Sequence, residues 1–402
     1  MKIIKNILKV AGITFLSLLI ISGLALFFIN KYPVLKASRE IPEIKDQSQK
    51  LSEVNLADKK IIGLGEASHG NKEFQQMRLD LFKNLVKNND TRAFLLECDY
   101  AEGLIIDDYI KTGEKIENPS KFFSFDIYHT KDMDDLINWM KDYNKDHKNV
   151  LSFYGVDFQN PEKAVEPIRK YLKENNMAMD SLKVLEKDKI SMDDIEKSGL
   201  KKDLEDLKTQ ASDPKFKNLL ENIIESFSYY KMDSKDYKAM NEFRDERMAK
   251  NVVFIENLEK NIMVSGHNGH IGKSSPAYKP MGEILKEKYK DDYYIIGTDY
   301  FKTRVNIRSL VDGKRKIRKF ESADTLAFQA KNLGQYFLDF SDIDNENIEK
   351  ILEAGISMGS LGEGYSPIMK IMPQSHRIRG NPKDYYDAMA FVYEAGPTDV
   401  KN

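Results

Sequence analysis

Apolar and polar positions follow two regimes along the chain. Residues 10–29 form an uncharged, strongly apolar run of roughly twenty residues, the length that a bilayer core requires. From about residue 56 onward, short β-branched runs alternate with segments whose apolar residues recur every three or four positions. The runs predict buried strands at residues 60–64, 92–96, 149–156, 261–265, 293–296 and 388–393, with further strand-like runs at 304–307 and 336–340. The helical spacing predicts helices over 72–87, 102–110, 131–143 and 162–175; in the first, Phe74, Met77, Leu81, Phe82 and Leu85 share a face and Asn71 is the expected cap. From 180 to 260 the pattern stays helical and heavily charged, with Leu204, Leu207, Leu219, Leu220, Ile223 and Ile224 as its apolar stripe. That is too long for one ordinary helix and predicts a helical hairpin laid over the sheet, turning at Ser212-Asp213-Pro214. Strands alternating with helices imply an α/β fold, a mostly parallel central sheet flanked by helices.

The apolar N-terminal run predicts an uncleaved transmembrane anchor at residues 10–30, because a signal peptide's apolar region is shorter and ends in a small-residue cleavage site. Lys2, Lys5 and Lys9 precede it, which puts the short end, residues 1–9, in the cytoplasm and the rest outside it. Residues 31–55 read as a tether and 56–402 as the catalytic unit, with 180–260 a helical insertion in it. Composition narrows the function classes. The 402 residues are 31% charged with a formal net charge of -2, which gives no support for nucleic-acid binding. Cys98 is the only cysteine, so no intrachain disulfide and no cysteine-rich metal site exists.

The chain's chemistry centres on Gly65-Glu66-Ala67-Ser68-His69-Gly70, where the first strand breaks and a helix opens. A carboxylate three residues from an imidazole can hold one tautomer and strengthen the ring as a base. Glu66, Glu97, Asp157, His267, Asp299 and Glu394 each fall at or just past the carboxyl end of a predicted strand, the rim where open α/β sheets hold ligands. Three of the six histidines, His69, His267 and His270, lie in two glycine-rich loops; His129, His147 and His376 lie elsewhere and read as ordinary. Two mechanisms fit this set. In one, His69 takes a proton from water, the hydroxide attacks a carbonyl, and His267 or Arg78 steadies the oxyanion. In the other, His69, His267 and a glutamate hold a divalent metal that activates the water. The metal-free form is preferred, since nothing in the spacing forces a metal. There is no Gly-x-Ser-x-Gly elbow, no Walker loop and no dinucleotide fingerprint.

These residues resemble the erythromycin esterase family, which hydrolyses macrolide lactones. The resemblance is carried by Gly65-Glu66-Ala67-Ser68-His69-Gly70, where the family commonly has Thr at the position of Ser68, and by Arg78, Glu97, Trp139-Met140, Tyr143-Asn144 and Gly155-Val156-Asp157. Arg244-Asp245, Met248-Ala249, Asn251, His267-Asn268-Gly269-His270 and Tyr386-Asp387-Ala388 follow in the family's order. It implies a general base at His69, with Glu66, Arg78, Glu97 and His267 around it, and a helical subdomain forming one wall of a deep cleft. His270, Asp157 and Arg244 are the expected substrate contacts, although Arg244 and Arg247, at i and i+3, also suit a charged surface face. The implied partner is a small ester or lactone, with no cofactor. The competing expectation is a non-catalytic surface domain that captures a haem, metal or glycan in the same cleft.

Overall fold

Strands built from unbroken Ile, Leu, Val and Phe have no face to offer water, so both sides of their sheet must be covered. The computed structural model describes residues 2–113, 116–148, 150–187 and 190–400, and of Lys2, Ile3, Lys5 and Ile7 the backbone only. Met1 and the Lys2 and Lys5 side chains of the expected cytoplasmic end, Asn149 of the third predicted strand, and residues 401–402 of the expected catalytic unit lie outside the described residues.

In chain order the strands are β1 (Ile61–Glu66), β2 (Ala93–Asp99), β3 (Ser152–Asp157), β4 (Ile262–His267), β5 (Tyr293–Ser309), β6 (Arg315–Glu321), β7 (Tyr336–Asp339), β8 (Ile356–Gly359), β9 (Gly364–Tyr365), β10 (Arg377–Gly380) and β11 (Ala388–Ala395). The main sheet runs β3-β2-β4-β1-β5-β11-β7, with β6 and β9 joined to β5; β8 and β10 form a separate antiparallel pair. From β3 through β11 the neighbours in this order are parallel, and β7 closes the far edge antiparallel. One face buries Ile61, Leu95, Val264 and Ile295 beneath the helices of 165–258. The other buries Ile62, Leu64, Phe94, Leu96 and Ile296 beneath the helices Lys72–Asn88 and Lys131–Asp146. The α/β architecture and parallel sheet are as the alternation implies.

Three features differ from the sequence reading. β5 fuses the runs expected at 293–296 and 304–307 into a single strand, because β11 pairs with it in register through Gly297 and Asp299. The region expected as a hairpin is instead four helices, Met192–Ser198, Leu200–Gln210, Pro214–Tyr230 and Tyr237–Leu258, led by a 3₁₀ segment. The corner falls where expected: the Asp213 carboxylate accepts the Lys215 N–H at 3.0 Å and Pro214 opens the helix. Asn71 precedes its helix without a side-chain cap, since its Oδ1 accepts from Thr303 Oγ1 at 3.0 Å and its amide donates to the carbonyls of Arg304 and Gly396.

The helix Tyr100–Thr112 packs unusually close to the sheet. A Cβ on Gly103 would lie 1.9 Å from the Gly155 nitrogen, so glycines on both elements let them touch and aim the end of β2. At the N-terminus, the helix Lys2–Asn30 projects with its apolar side chains exposed, and Leu8–Ala37 is long and apolar enough to cross a membrane. Residues 31–55, expected as a tether, are folded onto the body. Val34, Ile41, Ile44 and Leu51 are buried, and the Ile41 N–H donates to Gln329 at 2.8 Å.

Candidate active site

β1 and β4 are adjacent and parallel with Glu66 opposite His267, so the sheet itself sets an acid beside an imidazole at one rim. Two glycines make this possible. A Cβ on Gly65 would meet Asn268 Oδ1 at 2.1 Å, and one on Gly266 would meet Glu97 Oε2 at 2.8 Å. Asn268 uses that space to bridge to β5, its amide donating to the Thr298 carbonyl at 2.8 Å.

His69 lies three residues past Glu66, and its Nδ1 is 2.7 Å from Glu66 Oε1. With Nδ1–H donated to the carboxylate, Nε2 is the nitrogen left to exchange a proton. Burial alone lowers the His69 pKa, but the hydrogen bond and charge of Glu66, followed by Glu97 and Glu363, overcome it and raise the pKa to about 9. Glu66 is itself buried; burial pushes its carboxyl up, and Arg78 together with His69 brings it below the usual range. The Arg78 Nη2 is 2.5 Å from Glu66 Oε2, off the N–H axis, so the contact is one of charges rather than an aligned hydrogen bond. Arg78 Nε donates to Ser265 Oγ at 2.9 Å, and the guanidinium lies 5.4 Å from the Tyr128 ring centre.

His267 is the electrical opposite of His69. Burial, then the positive charge of His69, lower its pKa to about 3, so the ring is neutral. Its Nδ1 accepts the Gly269 N–H at 3.2 Å, which places the ring's proton on Nε2. That Nε2 is buried without a partner among the described residues. The two rings are 5.1 Å apart, centre to centre, and each is partly exposed.

A second network backs the first. Glu97 Oε2 accepts the backbone N–H of His267 at 2.7 Å, and Oε1 accepts from Arg244 Nη2 at 2.9 Å. Burial raises the Glu97 carboxyl, and the charges of His270, His69 and Arg244 hold it well below the ordinary carboxylate range. Arg244 also donates to both oxygens of Asp157, from Nη2 at 2.7 Å and from Nε at 3.1–3.2 Å. His270 Nδ1 is 2.9 Å from both oxygens of Asp245; burial lowers its pKa, and Asp245 with Glu97 raises it above the ordinary value.

The structure therefore joins Glu66, His69, Arg78, Glu97, His267, His270, Asp157 and Arg244 in one continuous cluster. Asp299 and Glu394 do not join it, which corrects the six-residue rim. Asp299 is in mid-strand, buried, and accepts the N–H groups of Tyr300 and Gly359. Glu394 is exposed and pairs in register with Lys302, away from the histidines. Arg247 is no surface charge either: it is buried and donates to Asn218, Asn222 and Asn251. Asp245, Tyr278, Glu363 and Ser265 are the neighbours that sequence reasoning left unassigned. Asp245, beside Arg244, carried a signal, whereas Tyr278 and Glu363 come from loops with no pattern. Among the described residues no three His, Cys, Asp or Glu side chains are grouped to hold a metal ion, and the carboxylates nearest His69 are turned to Arg78 and Arg244.

Fold and site together define an α/β protein of hydrolase-like architecture, with paired histidines, carboxylates and arginines at the carboxyl rim of a parallel sheet. The family model of erythromycin esterase matches residues 86–395, and the chain belongs to the erythromycin esterase family. That match takes in Glu97, Asp157, Arg244, His267 and His270, while Glu66, His69 and Arg78 lie upstream of it. The chain is 25% identical over 334 residues to erythromycin esterase type II of Escherichia coli, covering 69% of this chain and 77% of that one. It is also 25% identical over 104 residues to the type I enzyme of the same species, covering 25% of this chain and 24% of that one. Among solved structures, a Bacillus cereus protein superposes with a TM-score of 0.73 at 20% identity, covering 92% of this chain and 99% of its own. A mutant of the erythromycin esterase EreC in its open conformation superposes with a TM-score of 0.62 at 18% identity, covering 88% and 94%. At these identities the superpositions show the fold.

Proposed function

We propose that the protein is a hydrolase of carboxylic esters or lactones, held to the membrane by residues 10–30 with its catalytic unit outside the cytoplasm, and that His69 activates water. The observation that carries the chemistry is the pairing of unlike rings: a His69 held by Glu66 through Nδ1, facing a neutral His267 whose Nε2–H is unpartnered. Unprotonated His69 Nε2 takes a proton from water, and the hydroxide adds to the substrate's carbonyl carbon. His267 Nε2–H donates to the oxyanion that forms. The tetrahedral intermediate then collapses, the carbon–oxygen bond to the alcohol breaks, and the leaving alkoxide takes the proton from His69. Arg78 and Arg244 help to hold Glu66 and Glu97 ionised, so the base keeps its orientation and its charge partner. No step requires a metal. The relatives named as erythromycin esterases make a macrolide lactone the first substrate to try.

The test is turnover by the full chain in detergent against a panel of esters and lactones, erythromycin included, with and without a chelator. Turnover that survives chelation and disappears in a His69→Ala variant that remains folded by circular dichroism supports the mechanism. Loss with the chelator assigns the water to a metal. Absence of turnover alongside tight haem or glycan binding makes the domain a binding module.

A further inference from the structure

A second site lies away from the histidines, where the N-terminal helix meets the body. A cavity of about 740 Å³ is bordered by Asn30 and Lys31 at the helix exit, by the β5–β6 hairpin, and by the segment 365–377. Seven lysines and arginines line it against two glutamates. Arg304 and Lys319 stand directly opposite each other on β5 and β6 and are both exposed, a like-charge cross-strand pair that is unfavourable unless an anion lies between. On the opposite face of the hairpin, against Phe320, His376 is 4% exposed and its Nδ1 has no partner among the described residues; Arg318 Nε, also buried, has none either. The Arg318 guanidinium is held 4.5 Å from the Tyr365 ring centre, which fixes it in place as a donor.

The surroundings of this cavity select among anions. Ile317 lines the cavity and is exposed, and Ile368, Ile371 and Met372, beside its lining residues Met369 and Lys370, are exposed as well; Leu310 and Val311, 70% and 75% exposed, lie farther out at the tip of the hairpin. A soluble anion needs no such apolar rim; a lipid does. The helix sets the level: residues 10–29 at about 1.5 Å each fill about 30 Å of hydrocarbon, leaving Asn30 and Lys31 at the headgroups. Lys31 pairs with Glu321 on β6, which ties the helix exit to the cavity.

We propose that this cavity binds the headgroup of an anionic glycerophospholipid in the leaflet from which the helix emerges, with the exposed hairpin tip resting in the interface. Arg304 and Lys319, on one face of the hairpin, contact the phosphodiester, and Arg318, on the opposite face of β6, borders the rest of the cavity. The inference rests on the membrane anchoring proposed above, and the experiment separates the two.

The full chain is reconstituted in phosphatidylcholine vesicles with and without phosphatidylglycerol, washed with alkaline carbonate, extracted into detergent, and its retained lipids are counted by native mass spectrometry. The expected result is a chain that resists carbonate and retains phosphatidylglycerol in preference to phosphatidylcholine. The surface variant Arg304→Gln/Lys319→Gln, which keeps the fold by melting temperature, is expected to lose about thirtyfold of that preference, and Arg318→Gln to lose about fivefold at most. A chain that stays in the membrane while neither variant changes lipid retention overturns the cavity assignment and spares the anchor. A chain washed off by carbonate, with retention in micelles still lost in the variants, overturns the anchor and spares the cavity. Displacement of the lipid by inorganic phosphate at equal concentration overturns the lipid as the source of the anion.

Discussion

Replacing Glu66 with glutamine removes the charge that raises His69 while keeping a side chain of the same shape. In the native protein the His69 pKa stands at about 9 rather than 6.5, and its side chain is 14% exposed, so little of the interaction is lost to solvent screening. That difference corresponds to about 3 kcal/mol of preference for the imidazolium. Because the folded value lies above the unfolded one, this stabilisation is complete below about pH 6.5 and is lost as the pH rises through about 9. In Glu66→Gln the burial that lowers the pKa has only the more distant Glu97 and Glu363 against it, so His69 is expected to titrate at or below 6.5. The direct assay is an imidazole NMR titration, following the six histidines and assigning His69 by its absence in His69→Ala. With an ester substrate in hand, the same shift appears in kcat/KM. The native profile rises about tenfold per pH unit from pH 7 toward 9, while the variant's is flat above about 7. The substitution also leaves Arg78 buried with Ser265 as its hydrogen-bond partner and so lowers stability by about 3–5 kcal/mol, but a titration of folded-state resonances is blind to that. Native His69 titrating near 6.5, or a variant still titrating near 9, refutes the account of how Glu66 acts.

Two further outcomes follow from the geometry. His267→Ala, which removes the unpartnered Nε2–H, is expected to lower kcat by about 10²–10³ with KM and Tm little changed, read by steady-state kinetics and differential scanning calorimetry. Gly103→Ala drives a methyl to 1.9 Å from the Gly155 nitrogen, against backbone that cannot yield, and is expected to cost about 1–3 kcal/mol or more in urea denaturation.

The parallel strands were legible because burial on both faces leaves unbroken apolar runs, and each of the six expected strands has its counterpart in the sheet. What escaped was β6, β8, β9 and β10, which are short or half-exposed and read as polar loop; Arg315–Glu321 alone carries four cations in seven residues. The length of β5 was hidden by Gly297-Thr298-Asp299, which looks like a strand end but is stitched through by pairing with β11, a long-range contact that no local pattern records. The same cause misplaced Asp299 on the rim. The site fared better. Glu66, His69, Glu97 and His267 were readable as groups at the carboxyl ends of adjacent strands, whereas Arg78 and Arg244 reach the cluster from helices, Arg78 being read there as an oxyanion donor and Arg244 only through the family resemblance. Partners such as Tyr278 and Glu363 depend on how loops return over the sheet, which local propensity does not encode.

The cluster's charge balance bears on why a base should have so high a pKa. Four carboxylates, Glu66, Glu97, Asp157 and Asp245, face Arg78 and Arg244 together with His69 and His270. Buried charges are tolerated when paired, and here four carboxylates face two guanidiniums, so a protonated His69 brings the sum closer to neutrality. Deprotonating His69 before reaction therefore adds one uncompensated negative charge to the site. In the proposed addition step His69 takes the proton from water, its imidazolium returns, and the negative charge passes to the substrate's oxyanion beside His267 Nε2–H. The protein's fixed charges thus favour the charge distribution of the addition step over that of the ground state, the condition under which binding energy accelerates a reaction rather than merely tightening substrate. A raised pKa on His69 reduces the fraction of active base at neutral pH and strengthens that base in the same measure; Glu66 chiefly sets that pKa, while Glu97 positions the groups around it. One of its oxygens holds the His267 N–H and the other holds Arg244, so the His267 loop and the guanidinium that balances the carboxylates are set by a single side chain.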